Sequence, residues 1–130
     1  MAVDLRIVTP NRPGALLQAT ETLAAAGIPL EGFCGDLRPG ERWGYLHFLV
    51  TDGDGGRKAL EAAGFEVTSS HDVDVLDLDK HMGSLAEEVR RYSNEGRNIE
   101  VVYIATGGQI VIGTDDMQKE RVGVRMEDAR

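Results

Sequence analysis

The sequence predicts an α+β fold of antiparallel sheets with helices packed on one face. Three observations indicate this class. Stretches that alternate apolar and polar residues, as half-buried strands do, are interleaved with stretches whose apolar residues recur at helical spacing. Glycine and proline mark most of the boundaries, and the order of elements restarts in the second half of the chain. With 130 residues and 42% hydrophobic residues, the chain is long enough for one ordinary domain or two very small ones.

The first half of the chain is predicted to contain four strands and two helices. The alternation of Val3, Leu5 and Ile7 with polar residues is typical of a strand, and the third strand is apolar on both faces, which indicates a central position in the sheet. The glycine-rich residues 53–56 are interpreted as a flexible turn. The predicted strands cover residues 3–9, 28–37, 43–51 and 65–68, and the predicted helices cover residues 14–26 and 57–63. This order is the ferredoxin-like βαββαβ pattern.

In the second half the same order begins again. The predicted strands cover residues 73–78, 98–105 and 109–114, and the predicted helix covers residues 83–96. Residues 117–130 are too short for a full helix and a full strand, and they predict one helical turn and an edge strand over residues 121–124. The sequence therefore predicts a first domain over residues 1–70 and a second, similar domain over residues 71–130, whose end is short enough to be truncated.

A constant spacing of 69 residues relates the two halves and indicates an internal repeat. The matched pairs are Gly14 and Gly83, Leu16 and Leu85, Gly27 and Gly96, Leu30 and Ile99, and Glu31 and Glu100. The buried sides of the two matched helices are predicted to consist of Leu16, Ala19, Thr20, Leu23 and Ala26 in the first, and of Leu85, Val89 and Tyr92 in the second. The strand before each helix matches less well, because Leu5 corresponds to Asp74.

The first strand runs through a short turn into the first helix, and this turn is the candidate functional site. Pro13 suits the start of a helix because its missing N–H would have no intrahelical partner there, and Gly14 lets the backbone come close to another strand or a small ligand. The unpaired N–H groups of the helix start carry the positive end of the helix dipole, so they can hold a carboxylate such as that of an amino acid. The alternative is that Pro13 and Gly14 only begin a helix packed tightly on its strand.

This segment, Asn11-Arg12-Pro13-Gly14-Ala15-Leu16, resembles the opening motif of ACT domains. That motif commonly has an acidic residue, any residue, then Pro-Gly and a small residue before leucine, so Asn11 replaces the acid conservatively. Residues 83–87 and 96–100 also resemble this family, whose helix typically ends in a Gly-Ile-Asn-Ile type of segment. The resemblance covers nearly the whole chain and implies two tandem ferredoxin-like ACT domains. The second copy departs from the motif, since Lys80 stands in place of the acid and Met82 in place of proline.

The resemblance implies a non-catalytic regulatory protein that binds an amino acid or a related small metabolite at an interface between ACT domains. The turn of one domain would face a strand of its neighbour, with the ligand between them. The implied ligand-binding residues are Asn11, Arg12, Pro13, Gly14, Ala15, Leu16, Asn98 and Ile99. The alternative is a regulatory subunit that binds no ligand and docks on a metabolic enzyme, because an incomplete second sheet leaves an edge to be covered. A homodimer is expected, since apolar edges would otherwise be exposed.

Composition argues against several other classes of function. A net charge of −8 and a sequence pI of about 4.8 argue against nucleic acid as a partner, because an acidic surface repels phosphates. The apolar runs are far shorter than a membrane span, and the N-terminal residues lack the pattern of a signal peptide, so no membrane association is expected. The single cysteine, Cys34, cannot form an internal disulfide, which fits a reducing cytoplasm.

The remaining polar residues show no pattern of a catalytic or metal site, and no cofactor is predicted. Cys34 has no adjacent base in the sequence, and no metal-ligand spacing relates the three histidines, His47, His71 and His81. His47 is predicted to be a hydrogen-bonded core histidine. A solvated strand face is the interpretation of the acidic alternation Asp72, Asp74, Asp77 and Asp79. Without a nucleophile–base pair or paired catalytic carboxylates, a catalytic role is not predicted.

Overall fold

The computed structural model describes residues 2–78 and 83–121, with side chains described as far as residue 117. The strands are β1 (Val3–Pro10), β2 (Gly32–Asp36), β3 (Trp43–Val50), β4 (Glu66–Asp72), β5 (Asp74–Asp77), β6 (Ile99–Ile104), β7 (Gln109–Thr114) and β8 (Gln118–Arg121). The helices are α1 (Ala15–Ala25), α2 (Gly53–Ala62) and α3 (Ser84–Asn94). The β4 strand extends four residues beyond its predicted end at residue 68, and only the single residue Val73 separates it from β5.

The strands form two antiparallel sheets, which confirms the predicted α+β class. The large sheet has the order β2-β3-β1-β4-β8, and the small sheet has the order β5-β7-β6. Strands β5, β6 and β7 are therefore arranged as β1, β2 and β3 are, with the third strand of each set in the middle. We call β1 to β4 with their two helices the first repeat, and β5 to β7 with α3 the second repeat.

The first repeat buries its core between one face of the large sheet and the two helices α1 and α2. Leu5 and Phe48 on the sheet and Leu23 on α1 are completely buried in one cluster. Burial of side chains of this size contributes roughly 1.5–3 kcal/mol each. The opposite face of β3 carries the alternate residues, among them His47, so both faces of this strand are covered, as its sequence pattern predicts.

Helix α2 begins at Gly53, so the prediction of a flexible turn over residues 53–56 is wrong. The side chain of Asp52 caps the helix, because its Oδ1 accepts a hydrogen bond from the Gly55 N–H at 2.9 Å. Gly56 lies against the sheet, where an added Cβ would approach Leu5 Cδ1 to 2.9 Å. Glycine is therefore required here for close packing of helix on strand, and this outweighs its low helix propensity.

The second repeat buries a smaller core, in which Tyr92 of α3 packs against Ile110 and Ile112 of β7. Leu85 and Leu16, predicted to be buried, are instead 46% and 41% exposed. In each helix the residue just before the leucine is the buried one, Ala15 in α1 and Ser84 in α3. Because successive residues of a helix are about 100° apart around its axis, the two leucines point away from the core.

The two sheets pack face to face, with the helices on their outer sides. The face of the large sheet opposite its helices lies against the small sheet, where Leu49, Ala105 and Val111 share one apolar cluster. At the sheet margin, Thr106 donates both its backbone N–H and its hydroxyl to the carbonyl oxygen of Glu31, each at 2.9 Å. The interface between the sheets is therefore a second, partly polar core.

The last described strand, β8, pairs with β4 and so extends the large sheet. The predicted edge strand over residues 121–124 shares only residue 121 with it, and residues 122–130 lie outside the described residues. The helical turn predicted before that edge strand is wrong, because residues 118–121 form β8, and the 3-10 turn lies just ahead of it over Asp115–Met117. The division into domains at residues 1–70 and 71–130 stays a prediction. None of the helices among residues 2–78 and 83–121 is long and apolar enough to cross a membrane.

Candidate functional site

The segment from residue 11 to residue 16, which we call the helix-entry turn, is held by the loop between β2 and β3. The side-chain amide of Asn11 donates to the carbonyl oxygens of Arg38 and Glu41, both at 2.9 Å, and its backbone N–H donates to Arg42 O at 2.7 Å. Both amide hydrogens of Asn11 are thus used to fix the turn. Its Oδ1 is an acceptor with no hydrogen bond from the described residues, so the side chain can accept a bond from an ammonium group.

No side chain caps the start of α1, and of its first-turn N–H groups that of Ala15 donates to the Arg12 carbonyl oxygen at 3.3 Å. Gly14 is the N-cap residue with a φ of +91° and a ψ of −12°. Arg12, Pro13 and Gly14 are exposed, whereas Ala15 is buried against the sheet. Because an L side chain is strained at this φ, glycine is needed for the turn itself. The first turn of α1 can therefore accept an anion without rearrangement.

The same geometry recurs in the second repeat. Gly83 is the N-cap of α3 with a φ of +87° and a ψ of −3°, again without a side-chain cap. The helices end alike as well, since Gly27 and Gly96 both have a φ of +72°. These matching backbone angles support the 69-residue repeat that the sequence indicates. Residues 79–82, which include the positions where the second copy departs from the motif, lie outside the described residues.

A shallow groove lies at the end of each repeat's first helix. The groove of the second repeat has a volume of about 420 Å³ and is lined by Val89, Ser93, Gly96, Arg97, Asn98 and Ile99. The groove of the first repeat has a volume of about 490 Å³ and is lined by Thr20, Ala24, Gly27, Ile28, Pro29 and Leu30. Each lining residue of one groove is 69 positions from a lining residue of the other. The groove of the second repeat carries the more polar side chains.

Asn98 and Ile99 are fixed in different ways in this second groove. The Asn98 N–H donates to Asp115 Oδ1 at 3.2 Å, and its carbonyl oxygen accepts from the Asp115 N–H at 3.0 Å. Ile99 is half-buried against the core of the second repeat. Within the described part of the chain, no hydrogen bond or ion pair joins residues 98–99 to the helix-entry turn. Within one chain, the helix-entry turn and residues 98–99, which are the two predicted halves of the ligand site, are therefore separate from each other.

A buried polar cluster between the sheets was not identified from the sequence. Asp4 is completely buried; its Oδ2 accepts from His47 Nδ1 at 2.9 Å and its Oδ1 accepts from the Tyr103 hydroxyl at 2.6 Å. Burial and the neighbouring Asp4 raise the pKa of Tyr103, so this hydroxyl stays protonated as a donor. His47 is the hydrogen-bonded core histidine that its strand predicts. In the sequence, the only sign of this cluster is Asp4 itself, a charged residue on the face of β1 that is opposite the apolar face of the strand.

The same surroundings disfavour the thiolate form of the lone cysteine. Burial, and secondarily the negative charges of Asp4 and Asp36, raise the pKa of the Cys34 thiol. A raised pKa lowers the fraction of thiolate, which is the nucleophilic form. Among the described residues, no group of three or more histidine, cysteine, aspartate or glutamate side chains has a geometry suited to a metal ion.

Comparison with known proteins identifies the fold and the family. Neither a protein-family model nor a curated protein sequence matches the chain. The structure superposes on the aspartate kinase regulatory subunits of Thermus thermophilus and Thermus flavus with TM-scores of 0.66 and 0.62, and it shares their ferredoxin-like α+β fold. Identities of 19% and 20% over 87% of this chain and 82% of each subunit show a common fold. The chain belongs to the same family as protein BT0572 from Bacteroides thetaiotaomicron, with 30% identity, a TM-score of 0.71 and coverage of 86% of this chain and 76% of that one.

Proposed function

We propose that this protein is a non-catalytic regulator that binds an amino acid or a related small metabolite at an interface between ACT domains. The uncapped start of α1 at Gly14 carries this proposal. Its backbone N–H groups and helix dipole suit the ligand carboxylate, and the Oδ1 atom of Asn11 suits the ammonium group. The likeness to regulatory subunits of a metabolic enzyme supports a regulatory role.

A second copy of the chain supplies the other half of the site in this proposal. Large apolar side chains that are exposed on both repeats support such an association, because burying them in a protein contact removes apolar surface from water. They are Leu17, Phe33, Val102 and Ile104, which are between 52% and 60% exposed. Phe33 on β2 and Val102 on β6 occupy matching positions of the two repeats. The two repeats can therefore contact a second copy of the chain through equivalent strands.

The purified protein is expected to be a homodimer, with twice the 14.1 kDa mass of the chain in light scattering. Replacing Val102 and Ile104 together with lysine should yield monomers, because charges would then face each other across the contact. Ala62→Lys, at an exposed position on α2, is the control and should leave the mass unchanged. A wild-type mass of 14.1 kDa at all concentrations would remove the dimer from the proposal.

Ligand binding is tested by calorimetric titration with each of the twenty amino acids. At least one is expected to bind, and Gly14→Asp should weaken that binding at least about tenfold by placing a negative charge on the carboxylate site. Gly83→Asp is the matched control, because it imposes the same strain at a φ of +87° in the second repeat. Equal loss in both variants, or no binding by any amino acid, would contradict the proposal.

The second candidate is a regulatory subunit that binds no ligand and docks on a metabolic enzyme. Strand β5 favours it, because β5 pairs only with β7 among the described strands while β8 extends the other sheet. A free strand edge can accept a strand from another protein. Recovery of a stable enzyme complex in the absence of metabolites, together with failure of every amino acid to bind, would favour this function over the first.

A further inference from the structure

A cavity of about 230 Å³ lies between the two sheets, away from the helix-entry turn. Its wall includes Arg6 of β1, His47 of β3, Ser69 and His71 of β4, and Glu100 of β6, so both repeats contribute to it. Small apolar molecules such as benzene occupy protein cavities of about 150 Å³. This cavity therefore has room for a metabolite of a few heavy atoms.

His71 presents an unsatisfied buried acceptor to this cavity. The residue is 2% exposed, and its Nδ1 lies 2.6 Å from the carbonyl oxygen of Asp72. Since a carbonyl oxygen can only accept, Nδ1 carries a proton; in the neutral form of the ring, Nε2 is then a lone pair that needs a donor. Nε2 has no hydrogen-bond partner among the described residues.

Glu100 stands beside this lone pair without bonding it. Its Oε1 is 3.6 Å from His71 Nε2, which is too long for a hydrogen bond. The ring lies directly against Gly113, where an added Cβ would be only 2.9 Å from His71 Cε1. Two neighbouring acceptors suit a group that donates several hydrogen bonds, and an ammonium group has three donors.

Arg6 supplies the opposite charge on the wall of the same cavity. Its Nε donates to Thr68 Oγ1 at 2.8 Å, and its guanidinium carbon lies 4.6 Å above the centre of the Tyr45 ring. These contacts fix the plane of the guanidinium, and its terminal nitrogens, which donate to none of the described residues, are placed to bind a carboxylate. The cavity thus combines a cation with a pair of acceptors.

We propose that the inter-sheet cavity binds a small zwitterion, an α-amino acid with a short side chain. The ammonium group lies between His71 Nε2 and Glu100, and the carboxylate lies against Arg6. This site is distinct from the helix-entry turn and does not depend on ligand binding there. Because residues of both repeats surround the ligand, its binding also ties the two sheets together.

The test uses ¹⁵N NMR of the histidine rings in the full-length protein, titrated with glycine, L-alanine and L-serine. At least one of the three should shift the Nε2 resonance of His71, and ethylamine and propionate, which each carry one charged group, should do so at least about tenfold more weakly. If none of the three amino acids moves this resonance at millimolar concentration, the proposal is overturned.

Substitutions distinguish binding in the inter-sheet cavity from binding at the helix-entry turn. Glu100→Gln and Arg6→Gln should each weaken the binding seen at His71 at least about tenfold, because each removes one charged partner. Glu66→Gln, at an exposed position on β4 outside the cavity, is the matched control and should leave it unchanged. Gly14→Asp should also leave the His71 response unchanged, and loss of the response in that variant would overturn the assignment to this cavity.

Discussion

Replacing Asp4 with leucine is expected to destabilise the protein by about 3–5 kcal/mol, because two hydrogen bonds to a buried carboxylate, each worth roughly 1.5–3 kcal/mol, are lost together. Asp4 is fully buried between the sheets and accepts hydrogen bonds from both His47 and Tyr103. Leucine has the same branching as aspartate but no acceptor atoms, so His47 Nδ1 and the Tyr103 hydroxyl both lose their partner. Since Tyr103 belongs to β6 and Asp4 to β1, the loss falls on the contact between the two repeats.

Chemical denaturation measures this effect, and two substitutions serve as controls. Asp4→Asn should cost much less than Asp4→Leu, because the amide keeps an oxygen that can accept from the Tyr103 hydroxyl. Asp36→Leu, on β2 of the same sheet, should change the unfolding free energy by no more than about 0.5 kcal/mol, since this carboxylate is 55% exposed and its hydrogen bond to Arg38 lies at the surface. Equal effects of Asp4→Leu and Asp36→Leu would contradict a structural role for the cluster.

Tyr92→Leu is expected to cost about 3 kcal/mol, through lost ring volume and an unpaired carboxylate. The Tyr92 hydroxyl donates to Asp74 Oδ2 at 2.7 Å, and the ring is 1% exposed. These two residues match Leu23 and Leu5 of the first repeat, where both side chains are apolar. The second repeat therefore has a hydrogen-bonded pair at the positions where the first repeat has an apolar pair.

The double variant Tyr92→Leu with Asp74→Leu restores the apolar pair and should recover at least about 1 kcal/mol relative to Tyr92→Leu alone. Unfolding at alkaline pH gives an independent readout. Burial, and then the bond to Asp74, raise the pKa of Tyr92 from 10.0 to about 12. The hydroxyl therefore stabilises the fold fully below pH 10 and loses that contribution as the pH rises towards 12. A double variant no more stable than Tyr92→Leu would contradict this pairing.

Local sequence signals account for much of the fold. The strand alternation around Leu5, the glycines at both ends of each matched helix and the 69-residue spacing predict the βαβ units, and the structure has them. These features depend on backbone conformation and on burial of one face, which neighbouring residues determine. The sequence shows that Asp74 of the second repeat corresponds to Leu5 of the first. It does not show why, because Asp74 accepts a hydrogen bond from Tyr92, which lies 18 residues further along the chain.

Long-range features could not be predicted in this way. The acidic alternation after β4 was interpreted as a solvated face, and this is wrong for Asp74, because its partner lies 18 residues away on α3. The pairing of β8 with β4 and the Asp4 cluster depend on how the two sheets meet, and no local pattern encodes that. The helix-entry turn was predicted from its glycine, yet the use of Asn11 to hold the β2–β3 loop depends on residues 27 and 30 positions away.

Amide NMR of the protein bound to an amino acid tests the proposed site most directly. If the ligand carboxylate sits on the start of α1, the largest shifts on titration will occur at the backbone N–H groups of residues 14–17, with a second set at residues 98 and 99. Shifts of comparable size at residues 83–86 would assign the same role to the second repeat. Saturation with ligand that leaves residues 14–17 unmoved would contradict a ligand site at the helix-entry turn.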